Sequence, residues 1–470
     1  MKRISLRRPT NSRRLAIMNR MLTEGTGSVE SITNWISQYD QHADHHLSLL
    51  EAAEAALNTG RAGSPDARQL AGRIERWRYQ LLQHEGEEGS WQTETLVDRL
   101  DRLANRLAGR PDRLPRSIGQ AIQDSRFDTD SIREALELVD PHVPLSELTD
   151  RAFELTRRHF RSPTESRSAA LSRWRMVVYA PLYVSNQCIN YCTYCGFRYP
   201  LEIARRHLSC DQALDQARCL RDRGFRHLLV VGGDFPHRTT TGYYAEILRA
   251  MVAEGLVPAV EIAPQSTESY AELVQAGACG VTLYQETYDP IRYREYHLRG
   301  PKASYAWRLE ALDRAAEAGM ARLGLGVLIG LADPYHDIPI MMRHAAYLMN
   351  RFPDRTFAFS LPRIHAAPDG FQVPFPIDDQ QLIRWYCALR IAFPRAPLVL
   401  STREGAELRN RLAHLCITQM SAGSSTAPGG YEDDAADTGE QFPVTDQRTA
   451  AEVARWLERS GFQVCWSWDD

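Results

Sequence analysis

Three cysteines constrain this chain more than any other feature of its sequence. Cys188, Cys192 and Cys195 follow the apolar run Met176–Val184 at C-x3-C-x2-C spacing. Structural zinc usually takes four protein ligands, whereas three thiolates suit an iron–sulfur cluster that leaves one iron without a protein ligand. The alternative is a zinc site with a distant fourth ligand such as His207, but no second pair of cysteines or histidines accompanies the three.

The composition excludes several classes of protein. The chain has 470 residues and a formal net charge of −3, so nothing in it indicates a nucleic-acid partner. No apolar run approaches the ~18 residues that would span a membrane. The nine cysteines form no evenly spaced secreted framework, and there is no apolar signal-peptide core. We therefore expect a cytoplasmic protein with neither a membrane nor a nucleic-acid partner.

From Met176 onward, short β-rich runs alternate with amphipathic helical stretches. Eight such β-then-α units predict an α/β fold, a (β/α)8 TIM-type barrel, in which functional groups gather at the carboxyl ends of the strands. The predicted strands are Val177–Val184, His227–Val231, Ala259–Ile262, Gly280–Tyr284, Leu323–Ile329, Thr356–Leu361, Leu398–Ser401 and Cys416–Met420. The predicted helices between them include Cys210–Arg223, Tyr243–Glu254, Tyr305–Ala318 and Asp378–Ala392.

The patterning divides the chain into five stretches. Residues 1–27 are a basic segment that we expect to be a disordered tail, with a targeting peptide as the alternative. Apolar residues at helical spacing predict an added helical region of unknown role at 28–110 and helices that lead into the barrel at 111–175. The barrel follows at 176–430, and residues 431–470 are expected to pack on it.

The ends of the predicted strands supply candidate cofactor contacts. Gly232 and Gly233 end the second strand, directly before Asp234, and glycines let a backbone approach a ligand closely. Glu286 follows the fourth strand, where a carboxylate can hold ribose hydroxyls or an ammonium group. Arg308 on the next helix can clamp a carboxylate through two hydrogen bonds. The alternative is a structural ion pair between Glu286 and Arg308.

A second set of candidates lies at the ends of the last strands. Arg403 follows the seventh strand beside Ser401, and Ser421 ends the eighth. An arginine beside hydroxyl groups can anchor the carboxylate of an amino acid, so we expect these three residues to bind substrate. A structural salt bridge from Arg403 to Glu404 or a neighbouring residue is the alternative. Lys302 also attracts interest, because the chain has only one other lysine.

These stretches resemble the 2-iminoacetate synthase family, which are radical S-adenosylmethionine (SAM) tyrosine lyases of thiamine thiazole biosynthesis. The supporting motifs are APLYVSNQCINYCTYCGF, GVTLYQETY, YHLRGPK, WRLE, LGLGVLIGL, LSTRE, SAGSSTAPGGY and WSWD, within residues 115–470. The resemblance implies a radical SAM barrel whose three cysteines hold a [4Fe–4S] cluster. It also implies SAM contacts at Tyr194, which matches the aromatic position near the adenine, and at Gly232, Gly233, Asp234, Glu286 and Arg308.

The resemblance further implies a reaction. The reduced cluster splits SAM into methionine and a 5′-deoxyadenosyl radical, which takes a hydrogen atom from L-tyrosine. Scission of the Cα–Cβ bond then yields 2-iminoacetate and p-cresol. No catalytic acid or base is assigned, because the cofactor carries the hard chemistry. The implied partners are L-tyrosine, a one-electron donor such as flavodoxin or ferredoxin, and a thiazole synthase.

Three alternatives stay open at this point. A radical SAM lyase could act on another aromatic amino acid, such as tryptophan. A hydrogenase-maturation type of tyrosine lyase would bear a second cluster on a C-terminal C-x2-C pair, whereas this chain has Cys465 alone in that region. A barrel that merely scaffolds a partner predicts a broken cluster motif or a lost SAM clamp, yet the three cysteines, Glu286, Arg308 and Arg403 are all present.

Overall fold

The structure is a computed structural model that describes residues 43–84, 127–161, 173–431 and 439–467, together with residues 100, 103–104, 106–107 and 122. The chain divides into two compact units, Met1–Ser117 and Ile118–Asp470. The basic segment, residues 1–27, lies outside the described residues. The division into five sequence stretches therefore stays a prediction.

Two helices form most of the described part of the first unit. Helix α1 spans Ala43–Asn58 and helix α2 spans Pro65–His84. Apolar side chains of both helices are buried, among them Leu50 and Ala53 of α1 and Ile74 of α2. The helical pattern that the sequence predicts is therefore present between residues 43 and 84.

In the second unit, eight parallel strands of the described chain close into a barrel. The strands from β2 to β8 pair in chain order, and β1 closes the sheet by pairing with both β2 and β8. The predicted (β/α)8 fold is confirmed. The strands are β1 (Arg175–Ser185), β2 (His227–Gly232), β3 (Val257–Glu261), β4 (Gly280–Thr282), β5 (Arg322–Gly326), β6 (Thr356–Ser360), β7 (Leu398–Leu400) and β8 (Gln419–Ser421).

Helices cover the outside of this barrel, so residues on both faces of β1 are buried. Polar N-caps begin many of them; Ser209 and Asp378, for example, each form a capping box. The helices are α3 (Asp130–Leu138), α4 (Leu145–Phe160), α5 (Cys210–Asp222), α6 (Thr241–Ala253), α7 (Thr267–Gln275), α8 (Pro290–Tyr296), α9 (Tyr305–Leu309), α10 (Ala311–Glu317), α11 (Pro334–Arg351), α12 (Asp379–Ala392), α13 (Ala406–Leu415) and α14 (Ala450–Arg459).

The predicted helix Tyr305–Ala318 differs from the structure, which divides it into α9 and α10 at Glu310. Arg314 stabilises the break: its Nη2 donates to the carbonyl oxygen of Trp307 at 2.7 Å and its Nε donates to that of Gln265 at 2.8 Å. A buried arginine thus replaces helical hydrogen bonding where α9 turns towards the barrel mouth.

The described C-terminal residues approach the barrel at both ends. Residues 439–446 follow the mouth, where Gln441 receives a hydrogen bond from Gly196 and Thr445 donates one to Thr402. After α14, a short strand β9 (Gln463–Cys465) pairs with the first residues of β1, at the opposite end. No helix in the described part of the chain is both long enough and apolar enough to cross a membrane.

Candidate active site

The loop that carries the cysteines follows β1 and is held by backbone hydrogen bonds to its surroundings. Its amide groups donate to carbonyl oxygens on three other segments of the chain, at the barrel mouth. The bonds run from Ile189 to Asp234 (2.9 Å), from Tyr191 to Arg299 (3.1 Å), from Thr193 to Tyr296 (3.0 Å) and from Gly196 to Gln441 (3.0 Å). These hydrogen bonds hold the loop at the barrel mouth.

Arg205 fastens the same loop from its outer side. Its guanidinium donates to four carbonyl oxygens, those of Asn186 and Phe197 at 2.7 Å and those of Arg198 and Leu201 at 2.9 Å. One side chain thus ties the start of the cysteine loop to its end. Sequence reasoning missed Arg205, because nothing in its local pattern distinguishes it from other arginines of this arginine-rich chain.

The three cysteines are free thiols that line one cavity of about 680 Å³. Burial raises the pKa of Cys188 to about 11, so cluster binding must displace protons. No three His, Cys, Asp or Glu residues among those described are placed to hold a single metal ion. His207 instead stacks on Tyr243, at 4.6 Å between ring centroids. His207 is thus engaged with Tyr243 and does not join the three thiols, which on one loop fit a cluster with an open iron.

The two glycines at the end of β2 allow other parts of the chain to approach the backbone closely. A Cβ atom on Gly233 would lie 2.3 Å from the carbonyl oxygen of Gln187, and one on Gly232 would lie 2.2 Å from the hydroxyl of Tyr244. Asp234 then accepts a hydrogen bond from the Asn190 amide at 3.0 Å. All three residues line the cavity. The sequence associates these glycines with a ligand, and the structure adds that Gly233 admits the cysteine loop and Gly232 admits the side chain of Tyr244.

Glu286 forms an ion-pair cluster in the wall of the same cavity. Its Oε1 accepts from Lys302 Nζ at 2.6 Å and from Arg308 Nη2 at 3.1 Å. Burial alone raises the pKa of Glu286, but the two cations outweigh it, so the pKa lies below its ordinary value. Glu286 is also the one described non-glycine residue with positive φ, at 73°. Strain of this kind gathers at functional sites.

Arg308 makes more hydrogen bonds within the protein than the sequence implies. Its Nε donates to the Tyr284 carbonyl oxygen at 2.7 Å and its Nη2 donates to Glu286. Only Nη1 has no hydrogen-bond partner in the described part of the chain. A clamp through Nε and Nη2 is therefore excluded, and a ligand carboxylate can be bound at Nη1. The structural ion pair with Glu286 is present, and a SAM contact of Arg308 stays a prediction.

Lys302 connects this cluster to the cysteine loop. Its backbone N–H donates to Asn190 at 2.9 Å, and its Nζ lies 5.6 Å from the ring centroid of Tyr194. The ring of Tyr194 is fixed in turn: His297 Nδ1 is bonded to a backbone carbonyl, so its Nε2 accepts from the Tyr194 hydroxyl at 2.8 Å. The lysine that stands out in the sequence lies at the centre of the site.

A second cavity of about 520 Å³ adjoins the first, and both are lined by Cys195, Glu286 and Lys302. Arg403 lies in its wall with Cζ 3.2 Å from the ring centroid of Phe442. The guanidinium of Arg403 makes no ion pair with any described residue. The predicted alternative is wrong, because Glu404 pairs with Arg363 and His365 instead.

Glu261, at the end of β3, lines both cavities and was not among the predicted contacts. Its carboxylate makes no hydrogen bond or ion pair with the described residues. Burial raises its pKa to about 7, against the opposing charge of Arg403. The position of Glu261 in the sequence could have identified it, because functional groups of such barrels gather at the carboxyl ends of the strands.

The two serines that were predicted to contact substrate, Ser401 and Ser421, line neither of these two cavities. Ser401 accepts a hydrogen bond from the Arg403 N–H at 3.4 Å, and buried Ser421 accepts one from the Thr402 N–H at 3.0 Å. Their hydroxyls therefore shape the loop that presents Arg403. That Ser401 and Ser421 contact substrate stays a prediction.

The chain is similar to known proteins over most of the barrel. A family model described as the radical SAM superfamily matches residues 182–345, and one described as the biotin and thiamin synthesis associated domain matches residues 360–463. The 2-iminoacetate synthase of Escherichia coli strain K12 is 36% identical over 75% of this chain and 90% of its own. The chain belongs to the 2-iminoacetate synthase family. The Salmonella typhimurium member is likewise 36% identical, over 69% of this chain and 83% of its own.

The chain is also similar to the solved structure of a hydrogenase maturase. The FeFe-hydrogenase maturase HydG from Carboxydothermus hydrogenoformans superposes with a TM-score of 0.65 at 34% identity, over 74% of this chain and 78% of that one. Membership of the 2-iminoacetate synthase family makes this protein a radical SAM lyase that uses a [4Fe–4S] cluster and SAM. The three free thiols at one cavity fit that cofactor.

Proposed function

We propose that this protein cleaves the Cα–Cβ bond of L-tyrosine, forms 2-iminoacetate and p-cresol, and delivers the 2-iminoacetate to a thiazole synthase in the cytoplasm. The observation that carries the proposal is an arginine and a carboxylate, Arg403 and Glu261, that share a cavity next to the three thiols and have no ion partners in the described chain. The nine free cysteines fit a reducing compartment.

The residues that line the first cavity bind and orient the cluster and SAM. When bound, the reduced cluster would supply the electron that splits SAM into methionine and a 5′-deoxyadenosyl radical, which would take a hydrogen atom from the substrate. The benzylic radical left by scission would need a second electron, from the one-electron donor, and a proton to become p-cresol. Cys188, Cys192 and Cys195 hold the cluster. Glu286 accepts hydrogen bonds from the ribose hydroxyls of SAM. Arg308 donates a hydrogen bond from Nη1 to the SAM carboxylate, and Tyr194 packs beside the adenine. The backbone at Gly232, Gly233 and Asp234 binds the methionine amine.

The substrate side fits a zwitterion with a large ring. Arg403 binds the α-carboxylate and Glu261 binds the α-ammonium group. The apolar side chains Leu328, Ile364 and Phe442 line the same cavity and provide a surface for the ring. Fixing both ends of the amino acid holds one bond of the substrate towards the cofactor, which is what a radical abstraction requires.

Residues 439–446 cover part of this space and would limit the access of water to it. Gln441 lines both cavities, and its side chain accepts a hydrogen bond from Tyr183 at 2.6 Å. A Cβ atom on Gly196 would lie 2.1 Å from the Glu440 carbonyl oxygen, so the segment rests directly on the cysteine loop. A closed mouth protects a reactive radical from side reactions.

The hydrogenase-maturation alternative is disfavoured by the position of Cys465. This buried cysteine is on β9, whose partner is the start of β1, whereas the cysteine loop follows the end of β1. A second cluster built on Cys465 would therefore lie at the other end of the barrel from the first.

Anaerobic reconstitution tests the proposal. The reconstituted protein, reduced with dithionite, is offered tyrosine and tryptophan in parallel with SAM. We expect one cluster per chain, SAM cleavage, and p-cresol from tyrosine. An indole product from tryptophan without p-cresol from tyrosine would overturn the substrate assignment. Failure to take up a cluster or to cleave SAM would leave only the scaffold alternative.

A further inference from the structure

Apolar side chains are exposed beside the cysteine loop. Five large apolar side chains of the described residues are strongly exposed, and three of them, Tyr199, Ile291 and Leu298, lie on the two segments that border the cysteines. Their exposed fractions are 50%, 69% and 59%. Exposed apolar groups scattered singly need no explanation, but a concentration of them at one place marks an interaction site.

Backbone contacts bring two of these side chains close to the cluster ligands. The Tyr199 N–H donates to the Asn190 carbonyl oxygen at 2.8 Å, in the middle of the cysteine loop. Cys192 forms an antiparallel bridge with His297, and Leu298 is the next residue along the chain. The surface at Tyr199 and Leu298 is therefore the outer side of the loop that holds the cluster.

Positive charge surrounds the same place. The guanidinium of Arg299 lies 5.7 Å from the ring centroid of Tyr191, and that ring contacts the ring of Tyr199 at 5.2 Å. Arg299 and Arg294 are exposed and make no ion pair with described residues. The exposed acidic residues of the same two segments, 186–207 and 289–302, are Glu202 and Glu295, and Glu295 forms an ion pair with Arg292.

We propose that Tyr199, Arg294, Leu298 and Arg299 form the docking surface for an acidic, low-potential one-electron carrier protein of the flavodoxin or ferredoxin type. The proposal rests on the proposed function only in requiring a reducible cluster. One electron leaves the reduced carrier and enters the oxidised cluster, and no atom is transferred. Electron transfer weakens steeply with distance, so the carrier must bind where the cluster lies closest to the surface.

Each feature of the surface has a physical role in such a complex. Unpaired arginines attract an acidic partner and raise its association rate. Exposed aromatic and aliphatic side chains supply the apolar centre that a transient interface needs. A second copy of this chain fits less well, because a symmetric contact places like surfaces together and would bring arginines against arginines.

Charge reversal tests the proposal on the reconstituted enzyme. The double variant Arg294→Glu/Arg299→Glu is compared with Arg249→Glu/Arg459→Glu, which changes the charge equally at exposed arginines elsewhere. Cluster reduction is followed by stopped-flow absorbance with reduced flavodoxin and, separately, with reduced methyl viologen, a small cation that needs no docking surface. Binding of oxidised flavodoxin is measured directly by calorimetry. None of these readouts depends on tyrosine cleavage.

We expect the first variant to be reduced by flavodoxin at least tenfold more slowly at low salt, to bind flavodoxin at least tenfold more weakly, and to react normally with methyl viologen. The control pair should behave as wild type. Unchanged flavodoxin kinetics, or an equal loss in the control pair, would overturn the proposal. So would slow reduction by both reductants, or a changed oligomeric state with unchanged reduction, because these results assign the arginines to cluster retention or to a contact between copies.

Discussion

Arg403 and Glu261 line the same cavity, yet no ion pair joins them. Arg403 contacts the ring of Phe442 instead, and the carboxylate of Glu261 has no hydrogen-bond donor among the described residues. Buried charges are normally paired. A cation and an anion held apart in one cavity are complementary to a molecule that carries both charges, such as an α-amino acid.

Substitution of Arg403 tests the carboxylate contact. Arg403→Met should raise KM for tyrosine roughly 10- to 100-fold, since a hydrogen bond to a charged group contributes about 1.5–3 kcal/mol. SAM affinity, measured by equilibrium dialysis, should stay at the wild-type value. Arg403→Lys keeps the charge and should recover part of the loss. An unchanged KM in Arg403→Met would exclude this arginine from substrate binding.

Substitution of Glu261 tests the ammonium contact. Because the pKa of Glu261 is raised to about 7, its carboxylate is ionised above this pH and becomes neutral as the pH falls through it. Tyrosine binding to the wild-type enzyme should therefore weaken below pH 7. Glu261→Gln should bind tyrosine roughly tenfold or more weakly at pH 8 and lose this pH dependence. If Glu261→Gln keeps the wild-type pH profile of KM, another group binds the ammonium.

The close contact at Gly233 predicts a defect in cluster binding. In Gly233→Ala the new methyl group would lie 2.3 Å from the Gln187 carbonyl oxygen, so the cysteine loop must shift. Overpacking of this kind costs about 1–3 kcal/mol. Iron content after reconstitution should fall by at least half. Gly242→Ala is the matched control, because its Cβ atom would meet nothing closer than 4.0 Å and should leave the iron content unchanged.

Arg205 should matter for the cluster although it lies outside the cavity walls. Arg205→Gln removes most of the four hydrogen bonds that join the ends of the cysteine loop. We expect the barrel to fold normally by circular dichroism, while the reconstituted cluster is lost several-fold faster to a chelator. Arg205→Lys should be intermediate. A wild-type rate of iron loss in Arg205→Gln would show that the backbone bonds alone fix the loop.

The sequence predicts the barrel and the cysteine loop well because both are local patterns. Strand runs separated by helices and a fixed cysteine spacing require only neighbouring residues. Lys302 also stands out locally, since lysine is otherwise nearly absent. Its ion pair with Glu286 at 2.6 Å, however, depends on a loop that folds back over the mouth.

Other parts of the site depend on contacts between distant segments. Arg205 binds carbonyl oxygens on both sides of the cysteines, and Phe442 reaches Arg403 from beyond β8. The hydrogen bond of Ser421 shows a related effect: a residue at a strand end can direct its hydroxyl to a neighbouring loop, here to Thr402, as readily as to the cavity. Strand position alone does not decide between these directions.

In the proposed reaction this barrel couples SAM cleavage to scission of tyrosine. The coupling is measured by the ratio of p-cresol to 5′-deoxyadenosine formed by the reduced, reconstituted enzyme, determined by chromatography with and without L-tyrosine. We expect tyrosine to accelerate 5′-deoxyadenosine formation and p-cresol to accumulate in about equal amount. Formation of 5′-deoxyadenosine at the same rate with and without tyrosine, with no p-cresol, would contradict it.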